Sequence, residues 1–167
     1  MHPHVLLIER FYEAFAKHQP QEMAACYHPD AAFQDPVFPH LQGADIGSMW
    51  NMLVTRGGKQ MKIDYTHRDI AADDQEGQAC WEAHYHFSQT GRKVHNVVQA
   101  RFQFADGLIL RHEDDFNFAR WSRQALGWRG LLLGHTRFLQ AKVQAQAAAS
   151  LAAWKAERGL LGRPQNA

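Results

Sequence analysis

Between Pro3 and His18 the apolar residues Val5, Ile8, Phe11, Tyr12 and Phe15 recur every three or four positions. That spacing places them on one face of a helix, and Pro3 suits its first turn. A shorter helix follows, with Pro20 near its start and Met23, Ala24 and Tyr27 turned inward, until His28-Pro29-Asp30 breaks it. A brief strand is expected over Ala31 to Asp35, ended by Pro36. Leu41-Gln42-Gly43-Ala44-Asp45 then leads into a third helix carrying Ile46, Met49, Trp50 and Leu53, stopped at Arg56-Gly57-Gly58-Lys59.

From Lys62 onward the period falls to two. Lys62 to Ala72, Gln78 to Gln89, Lys93 to Ala105 and Leu108 to Phe118 all alternate as half-buried strands do. They are joined by Asp73-Asp74-Gln75-Glu76-Gly77, Thr90-Gly91-Arg92 and Asp106-Gly107, the last a strong hairpin signal. A mixed segment, Ala119 to Gly134, carries the chain off the sheet. From Thr136 to about Arg158 an Ala/Gln-rich helix sets Leu139, Val143, Ala147, Leu151 and Trp154 along one side. The expected class is α+β, an antiparallel sheet with helices packed on one side; if the sheet curves, its concave face and the helices enclose a cone-shaped pocket. One domain over residues 1–130, a helical extension over 131–161 and a disordered tail over 162–167 are expected.

Composition narrows the function. The chain has 167 residues, 46% of them hydrophobic, with 5 Trp, 4 Tyr and 10 Phe, which is enough apolar mass for one packed core. Eighteen Lys plus Arg stand against 17 Asp plus Glu, so the basic excess that nucleic acid requires is missing. No leader or membrane span is read at the N-terminus, where the apolar run before Glu9 is short, and a cytoplasmic protein with neither a nucleic-acid nor a membrane partner is expected. Cys26 and Cys80 are read as buried free thiols. The 11 histidines are numerous for this length, but His2, His4, His18, His28, His40 and His67 fall at termini, helix ends or turns and read as solvated.

Phe11-Tyr12-Glu13-Ala14-Phe15, Met23 and Tyr27-His28-Pro29-Asp30-Ala31-Ala32-Phe33-Gln34-Asp35-Pro36-Val37 resemble the NTF2-like superfamily, which includes ketosteroid isomerase, the SnoaL polyketide cyclases and scytalone dehydratase. Trp81-Glu82-Ala83, Phe87, Thr90-Gly91-Arg92, Gly107-Leu108-Ile109, His112, Asp114, Phe116 and Trp121 to Gly127 are similar to its SnoaL-like branch. The resemblance covers residues about 4 to 128. It implies the cone fold, a curved antiparallel (mixed) sheet with helices packed on its concave side, a homodimer, and a pocket for a small apolar or polycyclic molecule; the last helix is an extension whose apolar stripe is expected to build the dimer contact. It does not imply one function, because the superfamily holds enzymes and binding modules alike.

The resemblance places Asp35 at the general-base position of ketosteroid isomerase, where partial desolvation lifts a carboxylate toward working pH. The competing reading is that Asp35 caps a turn before Pro36. The two oxyanion donors of that enzyme fall on Phe11 and near Ala100, neither of which can donate. A donor of this kind is worth about 3 to 4 kcal/mol of barrier, so steroid isomerisation by that scheme is not expected.

On the last strand Leu108, Leu110, His112, Asp114, Phe116 and Phe118 share the more apolar parity, which turns His112 and Asp114 inward. Direct contact of the pair depends on rotamers, and Asp35 is an equal candidate partner for His112. On the Gln78–Gln89 strand the set Cys80, Glu82, His84 and His86 opposes Trp81, Ala83, Tyr85 and Phe87, and the parity leaves open which set faces the pocket. His84, His112 and Asp35 would parallel the two histidines and aspartate of scytalone dehydratase. The candidate catalytic set is thus Asp35, His112, Asp114 and His84. Phe11, Tyr12, Phe15, Trp50, Ala100, Phe102 and Phe116 are the expected pocket lining. His84-x-His86 lacks a third and fourth ligand at any recognisable spacing, so no metal and no cofactor is expected. The expected function is a cofactor-free isomerase, cyclase or dehydratase using Asp/His acid–base chemistry on an apolar carbonyl compound. The alternatives are a non-catalytic module for a hydrophobic ligand and a dimeric interaction protein.

Overall fold

A computed structural model describes residues 1–159; the expected tail over 162–167 lies outside the described residues. Helix α1 (Pro3–Ala16) buries Leu7, Ile8, Phe11, Tyr12 and Phe15, and α2 (Pro20–Ala24) buries Met23. Strand β1 (Tyr27–Gln34) and the two-residue β2 (Leu41–Gln42) precede α3 (Ala44–Gly57), which buries Ile46, Met49, Trp50, Met52 and Val54. Then come β3 (Lys62–Tyr65), β4 (Ala71–Ala72), β5 (Glu76–His86), β6 (Lys93–Ala105) and β7 (Leu108–Asp115). Helices α4 (Phe118–Leu126), α5 (Trp128–Leu133) and α6 (Arg137–Glu157) complete the chain.

The strands form one sheet in the order β2-β1-β7-β6-β5-β3, with β4 on β5. All pairs are antiparallel except β1 with β7, so the sheet is mixed, curved and unclosed. The hairpin at Asp106-Gly107 has both residues at positive φ, 52° and 74°, as a two-residue turn matched to strand twist requires. The core lies between the sheet's inner face and helices α1 and α3, with Leu151 and Trp154 of α6 packed against it.

Three boundaries and one register differ from the expectation. His28-Pro29-Asp30 does not separate a helix from a strand: β1 begins at Tyr27, and the register against β7 slips between Tyr27 and Ala32, which accommodates a proline that cannot donate to a ladder. The expected strand from Lys62 to Ala72 is divided by a 3₁₀ turn over His67–Asp69, in which Thr66 Oγ1 donates to Asp69 Oδ2 at 2.5 Å. The last strand stops at Asp115, because Asn117 caps α4 by accepting the Arg120 amide at 2.9 Å. Its parity also breaks. Between Gln103↔Arg111 and Phe104↔Ile109 the register shifts, so Leu110 is an extra residue, and fully buried Ile109 shares the inner face with His112 and Asp114.

Candidate functional site

Tyr27 near the start of β1, Trp50 on α3, Trp81 on β5 and the pair His112 and Asp114 on β7 meet behind the inner face, all buried. Trp50 Nε1 donates to the Tyr27 hydroxyl at 3.0 Å, and that hydroxyl lies 2.6 Å from His112 Nδ1. His112 Nε2 lies 2.9 Å from Asp114 Oδ1, which also takes a long 3.4 Å contact from Trp81 Nε1. Donor logic assigns the chain. The carboxylate can only accept, so Nε2 carries the imidazole proton; Nδ1 must then accept from the tyrosine O–H, whose oxygen is left to receive the tryptophan N–H. Every group is satisfied once His112 is neutral. The ring is enclosed by Phe11, Phe33, Trp50 and Phe102 at centroid distances of 4.4–6.2 Å.

Next to this network lies a cavity of about 200 Å³. Phe15, Trp50, Trp81, Phe116, Trp121 and Val143 supply apolar walls, and Asp35, Asp114, Tyr85 and Asn96 supply polar groups. Helix α6 closes one side with Val143, Gln146, Ala147 and Ser150. The expected apolar stripe of this helix packs within the chain, over the cavity and against the core beside α3.

Asp35 does both things that its position suggested. Its Oδ1 accepts the amides of Val37 and Phe38 at 2.7 and 2.6 Å, and its own amide donates to the Phe38 carbonyl at 2.9 Å, closing a tight turn. Gln140 and Gln144 of α6 donate to the Pro36 carbonyl at 3.2 and 3.1 Å and pin the turn from outside. Oδ2 has no hydrogen-bond partner among the described residues, and the side chain lines the cavity. Burial pushes its pKa up to about 7; the Phe38 amide opposes the rise, the nearby Asp114 adds to it, and the Val37 amide opposes it in turn.

The other expected residues divide. His112 and Asp114 join in one dyad, and Asp114 reaches the cavity while His112 stands behind it. Asp35 is not the partner of His112. His84 is on the opposite face of the sheet, because Trp81 and Ala83 are buried inward and the alternation sends Glu82 and His84 out. It leaves the candidate catalytic set on that ground. Of the expected lining, Phe15, Trp50 and Phe116 reach the cavity, whereas Phe11, Tyr12, Ala100 and Phe102 are core residues beneath it. Ala100 is the cross-strand neighbour of Asp114, so a carboxylate stands beside the position where the resemblance expects one.

Sequence reading missed Tyr85 as a site residue. Its hydroxyl accepts from Trp121 Nε1 at 2.9 Å and so keeps its own proton to donate; burial pushes its pKa up to about 12, against the pull of the Trp121 bond and with Asp35 adding to the rise. The signal was its parity with Trp81 and Ala83. Cys26 is buried and free, its thiol pushed up to about 11 chiefly by burial, and Cys80 is free but half-buried on the outer face.

Among curated proteins no significant relative is found. Solved structures are similar in fold. A candidate polyketide cyclase from Xanthomonas campestris pv. campestris is 24% identical, over 71% of this chain and 93% of its own, with a TM-score of 0.56. An NTF2-like protein of unknown function from Burkholderia pseudomallei is 17% identical, over 74% and 98%, with a TM-score of 0.64. A candidate SnoaL-like polyketide cyclase from Jannaschia is 9% identical, over 71% and 91%, with a TM-score of 0.61. The family model of the SnoaL-like domain matches residues 8–112, more than half of the sequence, and the chain belongs to that family.

Proposed function

We propose that the protein binds a small apolar, carbonyl-containing molecule in the cavity and acts on it without a cofactor, by proton transfer of the isomerase, cyclase or dehydratase kind. The observation that carries this reading is Asp35. One of its oxygens is held by two backbone amides and the other is left toward an apolar cavity, with a pKa near 7. A carboxylate so placed is poised to take a proton from carbon next to a carbonyl and to return it elsewhere. Asp114 is its like-charged neighbour on the same cavity and adds to the rise of the Asp35 pKa. The role of His112 is to hold Asp114, with its own nitrogens committed to Tyr27 and Asp114. Tyr85 is the hydroxyl that would stabilise an enolate oxygen, replacing the donors that Phe11 and Ala100 cannot supply.

The test is turnover against a panel of cyclic ketones and aromatic polyketide-like compounds, followed by proton–deuterium exchange at the carbon next to the carbonyl. Exchange should lose at least about 100-fold in Asp35→Asn and should follow a basic limb near pH 7 in the wild type. Equal exchange by wild type and Asp35→Asn on a compound that binds the cavity overturns the catalytic reading in favour of a binding module.

A further inference from the structure

The outer face of the sheet, away from the cavity, gathers a second set of chemistry-bearing residues. Glu82 and His84 lie two positions apart on β5 and share that face. His95 of β6 is the direct cross-strand partner of His84, and Asp64 of β3 is the partner of Glu82. The donor atoms of Glu82, His84 and His95 all lie within 4.8 Å of one another. His95 Nε2 is 2.5 Å from Glu82 Oε2, and His84 Nε2 is 3.6 Å from Asp64 Oδ2. The two imidazoles stack with centroids 4.2 Å apart and planes 11° from parallel.

We propose that Glu82, His84 and His95, with Asp64 as a fourth donor, bind a divalent transition-metal ion of the zinc type. Two imidazoles with carboxylates suit zinc, cobalt or nickel and not the hard cations magnesium and calcium, which take oxygen ligands. With metal–ligand bonds of about 2.0–2.2 Å, tetrahedral donors stand about 3.3–3.5 Å apart, so side-chain rotation on a fixed backbone closes the set. The backbone is well fixed. Both strands are interior to the sheet, and where β7 has ended the α4 residue Gln124 takes over, accepting the His95 amide at 2.8 Å and donating to its carbonyl at 3.1 Å. The side chains of Glu82, His84 and His95 are each about 40% exposed, at 43%, 44% and 38%, so an ion reaches them from solvent. Lys62, opposite His84, and Lys93, two residues before His95, are basic neighbours on this face, and both are exposed. The ion would tie the edge strand β3 to β5 and β6, a structural staple separate from the cavity. The ligands that the sequence could not supply to His84 come from neighbouring strands and not from a local motif.

Isothermal titration of the whole protein with zinc chloride should show one ion bound per chain and a rise in the thermal unfolding midpoint. Cobalt in its place should give the visible absorption of a low-coordinate nitrogen and oxygen site. His84→Ala and His95→Ala should each lose saturable binding with unchanged far-UV circular dichroism. The double variant His2→Ala, His4→Ala, which removes the other close histidine pair, should bind as the wild type does. In case the alanine variants fail to fold, imidazole NMR of the wild type gives a second reading: zinc should move the signals of His84 and His95. Absence of saturable zinc binding by the wild type, zinc-shifted signals from other histidines only, or binding that persists in folded His84→Ala, His95→Ala protein would overturn the proposal.

Discussion

Asp35 joins turn geometry and acid–base chemistry in one side chain. Its pKa near 7 in the folded protein lies above the ordinary 3.8, so between those values the native state holds a proton that the unfolded chain has released. Stability then falls as pH rises through that window and levels off above about 7. Asp35→Asn keeps an acceptor for the Val37 and Phe38 amides and removes the charge. Urea unfolding at pH 5 and pH 8 should show the variant gaining on the wild type by at least about 1 kcal/mol at the higher pH; a gap that does not change with pH would contradict the raised pKa. Two buried tyrosines provide a contrast. The Tyr12 hydroxyl has no partner among the described residues, whereas that of Tyr27 serves both Trp50 and His112. Tyr12→Phe should change stability by no more than about 1 kcal/mol, toward stabilisation, and Tyr27→Phe should cost about 2 to 4 kcal/mol, since it strands two buried partners. Equal losses in chemical denaturation would show that the network has been misassigned.

At the scale of elements, sharp features decide what the sheet presents. The extra residue at Leu110 lets Ile109 and His112, which differ in parity, both face the core. Alternation read along the sequence therefore put His112 and Asp114 on the right face and Leu108 and Leu110 on the wrong one. The corner between α4 and α5 depends on Gly130. A Cβ there would lie 1.9 Å from the Ser122 carbonyl oxygen, on backbone that cannot yield without moving α4. Gly130→Ala should thus lower stability by about 2 to 4 kcal/mol, read as a reduced thermal midpoint, and should disturb Trp121 on the cavity wall. A variant with the wild-type midpoint would mean that the two helices pack more loosely than the geometry states.

For the whole molecule, the cavity is the product of parts far apart in the chain: the turn at Asp35, the inner faces of β5 to β7, and α6. Among the described residues no helix is long and apolar enough to cross a membrane. Ala147 on α6 lines the cavity wall, and Ala147→Trp should fill the space. Binding of an apolar fluorescent probe should be lost while far-UV circular dichroism is retained; retained binding would place the ligand elsewhere. The sequence by itself determined helices α1 to α3 and α6, most of the strand alternation and the hairpin at Asp106-Gly107, because these are written in residue spacing within one element, and its motifs carried the family resemblance; the segment from Ala119 to Gly134, read as mixed, folds as α4 and α5. It also placed His112 and Asp114 as candidates, since a polar pair on an apolar parity is a local signal, and Asp35 through the position that the resemblance assigns to it. Only the tertiary structure decided that Tyr27, 85 residues from His112, holds its ring, that Tyr85 and not His84 faces the cavity, and that α6 closes it. Those outcomes depend on which strand or helix lies alongside, and a local period of 2 or 3.6 carries no information about its distant neighbour.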